Sequence, residues 1–312
     1  MRYNPAYIGF LLFSVVMVSS CKKKNNNPTT TADTVTTATY TSFISDNTTF
    51  NTGVQTGTIT DADIPEASGL AVSRKYPAMF WTHNDSNNPN DIFLVDSTGK
   101  KKATVVVNNA TNRDWEDIAI GPGPTAGINY IYLGEIGDNN AVHSVSYIYR
   151  FPEPDVNLNG TSTISDVEKI SFAYPDGPRN AETLLLDPLT KDLYVISKET
   201  SAHVYVAYYP QRTDTTITLK ELDILPLSTL TAGDISATGS EILLKNYEQI
   251  YYWKRTDGQT IGQTLLRTPS LIPYITEPKG EAMGWAPDGS YFYTTGERKN
   301  NVNPGVYKYV RR

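Results

Sequence analysis

The sequence predicts an all-β fold, a five-bladed β-propeller. Three observations predict it. An acidic residue followed by a short apolar or small-residue run recurs at Glu66, Glu116, Glu182, Asp234 and Glu281. The steps between these acids are 50, 66, 52 and 47 residues, the length of a propeller blade. Each interval divides into short runs rich in Tyr, Thr, Val and Ile, separated by Pro, Gly, Asn and Asp, as antiparallel strands and their turns require.

Read in order, residues 1–21 form an export segment. Arg2 supplies a basic start, 8–18 an apolar stretch too short to span a bilayer, and Ser19-Ser20 precede Cys21. Val18-Ser19-Ser20-Cys21 resembles a bacterial lipobox without its usual leading Leu. The resemblance implies cleavage before Cys21 and lipidation of its thiol. Cys21 is also the sole cysteine, so the exported domain has no disulfide. Residues 22–50, opening on Lys22-Lys23-Lys24-Asn25-Asn26-Asn27 ahead of a Thr-rich stretch, lack apolar periodicity and read as a disordered tether.

The propeller is expected over 51–312. Strands are predicted at 68–73, 79–83, 92–96 and 103–107; then at 118–120, 130–134, 147–151 and 170–174. The third repeat gives 183–187, 193–197, 204–207 and 219–222, and the fourth 235–237, 241–245, 250–253 and 264–267. The fifth gives only 282–285, 291–295 and 305–309, one strand short. A strand-like segment at 54–59 lies upstream of the first repeat. Pairing it into the last blade closes the ring and removes an open edge. A sixth blade within the long 116→182 step is the alternative.

The net charge of −6 excludes nucleic acid as a partner, because phosphate binding needs a basic face. In a blade, the start of the first strand and the end of the second share one face. The five recurring acids would then ring one channel mouth, with the polar ends of the second strands around them. Ser68, Glu66, Glu116, Glu182, Asp234 and Glu281 are the candidate metal ligands. They offer only oxygens, which suits Ca²⁺ rather than zinc or copper. Without an ion, carboxylates so crowded raise each other's pKa. In the bland alternative each acid caps backbone N–H groups of the next blade or pairs with a nearby Arg or Lys. Arg113, Arg179 and Lys279 stand just ahead of three of the acids and, with Asn84, Asp138, Glu199 and Glu297, are candidate ligand-binding residues. His83 and Asp85 are the candidate acid/base pair. Trp81 and Trp115 suit inter-blade packing better than stacking on a ligand. No nucleophile elbow, phosphate-binding glycine loop or His-x-x-x-His pair is present.

The string Glu66-Ala67-Ser68-Gly69-Leu70-Ala71, with Thr82-His83-Asn84-Asp85-Ser86 and Arg113-Asp114-Trp115-Glu116-Asp117 downstream, resembles uncharacterised secreted bacterial propellers related to the SdiA-regulated and esterase-like phytase groups. Glu66, Ser68, Gly69 and Leu70 also resemble the blade opening of the calcium-activated nucleotidases (apyrases), five-bladed propellers with Ca²⁺ in the channel. That likeness implies Ca²⁺ at Glu66 and Ser68. It fades at Trp115-Glu116, where the family has the reverse order. The combined expectation is a lipid-anchored protein of a Gram-negative envelope, at the outer membrane. It would carry channel Ca²⁺ and bind a small anionic ligand or an envelope protein. The alternative is a Ca²⁺-dependent hydrolase of phosphate or other esters, with Arg113, Arg179 and Lys279 holding the anion.

Overall fold

Pairing registers build five antiparallel sheets in chain order. Blade 1 comprises Ala67–Val72, Met79–Asn84, Asp91–Asp96 and Lys101–Val107. Blade 2 comprises Trp115–Pro122, Asn129–Glu135, Ser146–Pro152 and Glu168–Ala173. Blade 3 comprises Ala181–Leu186, Leu193–Ser197, Ala202–Ala207 and Lys220–Leu225. Blade 4 comprises Ala232–Ile235, Glu241–Lys245, Ile250–Lys254 and Ser270–Ile272. Blade 5 comprises Ala282–Trp285, Tyr291–Thr295, Gly305–Val310 and, from the other end of the sequence, Val54–Thr58. Each first strand packs beside the next, and Ala282–Trp285 packs beside Ala67–Val72, so the ring closes at five. This computed structural model describes residues 1–2 and 34–312, of which Val35–Arg312 form one unit. The export segment and Cys21 lie outside the described residues. Among the described residues no helix is long and apolar enough to cross a membrane.

Alternation along the strands sends side chains to both faces of each blade, and both faces are covered. The core is accordingly five apolar clusters, one for each pair of neighbouring blades. Trp81 and Trp115 sit in the cluster between blades 1 and 2, both fully buried. Trp285 and Phe50 belong to the cluster between blades 4 and 5. The Phe50 ring lies 5.2 Å from Phe292, 5.6 Å from Trp285 and 5.9 Å from Tyr252, and is wholly enclosed. It fastens the N-terminal segment just ahead of the closing strand. Phe50→Ala is therefore expected to cost about 3–5 kcal/mol in a urea unfolding titration.

Four blades carry a fifth edge strand added in parallel. Gly160–Ile164, from a loop of blade 2, covers Lys101–Val107 of blade 1. Ile217–Thr218, from a loop of blade 3, covers Glu168–Ala173 of blade 2. Thr36–Thr37 and Ile44–Ser45 cover the outer strands of blades 3 and 4. On blade 5 the tip of a blade 1 hairpin does this work: Thr98 O accepts from Thr58 N at 3.2 Å, and Ser97 O from Thr56 Oγ1 at 2.6 Å. Unpaired edges are aggregation hazards, and this arrangement leaves little edge free.

These additions explain three departures from expectation. The long 116→182 step contains the covering strand Gly160–Ile164, not a sixth blade. Residues 35–50, expected as tether, instead run along the outer edges of blades 3 and 4. The strand expected at 264–267 is replaced by a short helix, Ile261–Leu265, started by a capping box between Thr260 and Gln263. The blade 4 outer strand follows it at Ser270–Ile272.

Registers also fix direction. Ala181 pairs with Ser197 where the first strand of blade 3 begins, and Ala202 pairs with Leu225, so Lys220–Leu225 runs towards that face. Thr36–Thr37 is parallel to it.

Candidate functional site

In blades 2 and 3 the first strands begin irregularly at this face, which is the channel mouth. Pairing skips Glu116 between Trp115 and Asp117, and skips Glu182 between Ala181 and Thr183. A residue skipped in this way is a β-bulge, and bulges re-aim side chains. Glu281 immediately precedes Ala282, the first paired residue of blade 5. All three glutamates are buried, and their charges act on one another across the mouth.

Two further acids join Glu116. Asp85 follows the second strand of blade 1, its N–H donating to Glu66 O at 2.9 Å. Asp114 precedes the first strand of blade 2. The buried Glu135 carboxylate accepts the N–H groups of Arg113 and Asp114, both at 2.9 Å, and fixes that approach. Gly137 supplies the room. A Cβ there would lie 2.5 Å from the Asp114 carboxyl carbon and closer still to Glu116 Oε1.

Asp85, Asp114 and Glu116 each present an oxygen such that the three lie within 4.8 Å of one another. Among the described residues no Lys or Arg forms an ion pair with any of them. Burial, then the Asp85 charge, pushes Asp114 up to about 6. Burial, then Glu182, Asp85 and Asp114, holds Glu116 well above the usual carboxylate range. Burial likewise raises Asp85. The other half of the mouth has its own cation. Lys198 Nζ lies 2.6 Å from Glu182 Oε2, 3.5 Å from Glu281 Oε1 and 3.0 Å from the Tyr247 hydroxyl. Tyr247 also donates to Glu281. Burial is the largest influence on Glu281 and opposes its ionisation, but the Glu297 hydrogen bond and Lys198 outweigh it and hold Glu281 low. Burial pushes Glu182 up to about 7 despite Lys198.

No family model matches this sequence, and no curated protein matches it.

The remaining sequence candidates are spread more widely. Glu66 is half-buried and accepts from Asn88 Nδ2 at 2.7 Å. Ser68 turns its hydroxyl to Glu116 O at 2.8 Å, linking blades 1 and 2. Asp234 lies deeper than the mouth and accepts the N–H groups of Ile235 and Trp285, each at 2.8 Å. It stitches blade 4 to blade 5, while Thr231 occupies the mouth and donates to Gly280 O at 3.0 Å. His83 is fully enclosed, with Nδ1 3.0 Å from Asn84 O, and burial brings it down to about 4. Asn84 clamps the loop below it, donating to Asp63 O and accepting from Glu66 N. Arg113 faces Glu135, Arg179 pairs with Asp176 and Glu199, and Lys279 pairs with Glu297. All three cations therefore have carboxylate partners. Asp138 accepts from His143 N at 2.7 Å.

Sequence reasoning missed Asp114 and Lys198 as site residues, and Asp117 as a stitch. Asp117 accepts from Ile118 N and from Leu184 N of the next blade, both at 2.9 Å. The signal for Asp114 was available: it directly precedes its first strand, as Glu66 and Glu281 precede theirs.

The crowding has a pH signature. A carboxyl whose folded pKa is raised binds protons more tightly when folded, so its contribution to stability falls as pH rises from the unfolded value through the folded one. For Asp114 and Glu182 that window runs from about 4 to about 6 and to about 7. A bound dication would offset the lost stability. The rise in melting temperature on adding Ca²⁺ is expected to be larger at pH 8 than at pH 5. Thermal scans with and without Ca²⁺ at both pH values check this.

Proposed function

We propose that this propeller is a binding module whose channel mouth takes one Ca²⁺ at Asp85, Asp114 and Glu116 and, through it, a small anionic ligand or an acidic group of a partner protein. The observation that carries the reading is the convergence of three carboxylates, over a glycine, with no ion-pairing cation among the described residues. The donors fit. They are all hard oxygens, and Ca²⁺ accepts six to eight such ligands in flexible geometry. A bound Ca²⁺ supplies positive charge and open positions for carboxylate or phosphate oxygens.

The chain's own groups do the rest. Glu135 holds Asp114 in place through the backbone. Lys198 balances Glu182 and Glu281, so the mouth does not become uniformly repulsive to an anion. Arg113, Arg179 and Lys279 are held by carboxylates and serve the rim rather than a free anion clamp. A lipid anchor at Cys21 belongs to the same reading. On this reading the protein works in a bacterial envelope, attached to the outer membrane.

The test is a screen of phosphate- and carboxylate-bearing small molecules by calorimetry, with Ca²⁺ and with chelator. Binding that requires Ca²⁺ and is lost in Asp85→Asn is expected. Binding that is indifferent to Ca²⁺ would overturn the reading. Ca²⁺-dependent turnover of a phosphate or other ester in the same screen would favour the hydrolase alternative.

A further inference from the structure

A second group of metal-ligating side chains lies away from the channel. His203 is on the third strand of blade 3 and Glu221 on the fourth, where Tyr205 and Glu221 are cross-strand partners. Asp176 is on the connection from blade 2 to blade 3. One atom from each of the three lies within 4.8 Å of the others. The imidazole Nδ1 is 2.6 Å from Glu221 Oε1, and Nε2 is 3.6 Å from Glu199 Oε2.

Charge around these side chains is unbalanced. Three carboxylates, Asp176, Glu199 and Glu221, face one guanidinium, Arg179, which pairs with Asp176 at 2.5 Å and Glu199 at 2.8 Å. With His203 neutral, the ion pairs among the described residues leave two negative charges here. Tyr174 gives independent evidence of a missing occupant. It is 7 % exposed, and its buried hydroxyl has no hydrogen-bond partner among the described residues. Its ring meets Tyr205 edge-on at 4.8 Å, and the Tyr205 hydroxyl donates to Asp176 at 3.0–3.1 Å. Burial first, then the charges of Asp138, Glu199 and Asp176, keep the Tyr174 hydroxyl protonated. It is a donor beside the cluster that lacks an acceptor.

We infer that Asp176, His203 and Glu221 hold a divalent transition-metal ion of the Zn²⁺ class where blades 2 and 3 meet. Mixed imidazole and carboxylate ligands suit Zn²⁺, whereas the all-oxygen mouth suits Ca²⁺. The dication cancels the two uncompensated charges. Three protein ligands leave a position for water, an acceptor of the kind the buried Tyr174 hydroxyl lacks. Binding displaces the His203–Glu221 hydrogen bond, so a proton leaves if the imidazole was charged.

The test uses chelator-treated full chain in saturating Ca²⁺, which occupies the mouth, titrated with Co²⁺ and then with Zn²⁺. The expected result is a visible absorption band from one Co²⁺ per chain, bleached by Zn²⁺. His203→Gln and Glu221→Gln should each weaken Zn²⁺ binding at least about tenfold while retaining the thermal response to Ca²⁺. Two variants guard against one that fails to fold. No band in the wild-type protein, or Zn²⁺ affinity unchanged in a folded variant, would overturn the assignment. Because Ca²⁺ is held constant, either outcome stands apart from the fate of the mouth.

Discussion

Glu116→Gln is expected to make the metal-free protein more stable and to abolish its response to Ca²⁺. The glutamate is buried at a bulge, crowded by Asp85, Asp114 and Glu182, and has no ion-pairing cation among the described residues. Burial and repulsion both disfavour its charge, and each pKa unit of such a shift is worth about 1.4 kcal/mol. Gln keeps the shape and removes the charge, so a gain on the order of 1 kcal/mol in chelator is expected. The same change removes a ligand, so the rise in melting temperature on adding Ca²⁺ should vanish. A purely structural glutamate gives the opposite first result, because removing a bonded acceptor leaves its donors unsatisfied. Urea titrations in chelator and thermal scans in Ca²⁺ separate the two.

Asp117→Ala, one residue further on, should do the reverse. Asp117 is fully buried and accepts one N–H of its own strand and one of the next blade. Alanine leaves both donors buried without an acceptor. Each orphaned group costs about 1–3 kcal/mol, so a loss of about 2–6 kcal/mol is expected in urea. The Ca²⁺ response should survive in whatever fraction folds, because the Asp117 carboxylate is taken up by these N–H groups and is not one of the three clustered acids. Neighbouring carboxylates with opposite effects would show that binding and stitching are divided between adjacent positions of one strand.

How far the sequence could carry this account depends on the scale of the signal. The period of the acids and the strand missing from the last repeat were enough to predict five blades and their closure by 54–59, because each feature spans many residues. The two-residue edge strands at Thr36–Thr37 and Ile44–Ser45 were not visible. Two residues carry no periodicity, and their pairing is decided by the sheet edge they cover. Asp234 shows how a one-sided count misleads. Counting eight residues back from the turn glycines Gly239 and Gly289, both at positive φ, gives Thr231 and Glu281. The hairpin fixes register, so Thr231 takes the mouth position and Asp234 falls deeper. Asp85, Asp114 and Lys198 lie just outside strands. Their convergence depends on bulges and loop clamps such as Glu135, which leave no mark in hydropathy.

The most direct test of the mouth is calorimetric titration of Ca²⁺ into chelator-treated protein at pH 8. One Ca²⁺ bound per chain, lost in Glu116→Gln and kept in His203→Gln, is the predicted result. No binding by the wild-type protein, or undiminished binding by a folded Glu116→Gln variant, would contradict a calcium site at Asp85, Asp114 and Glu116.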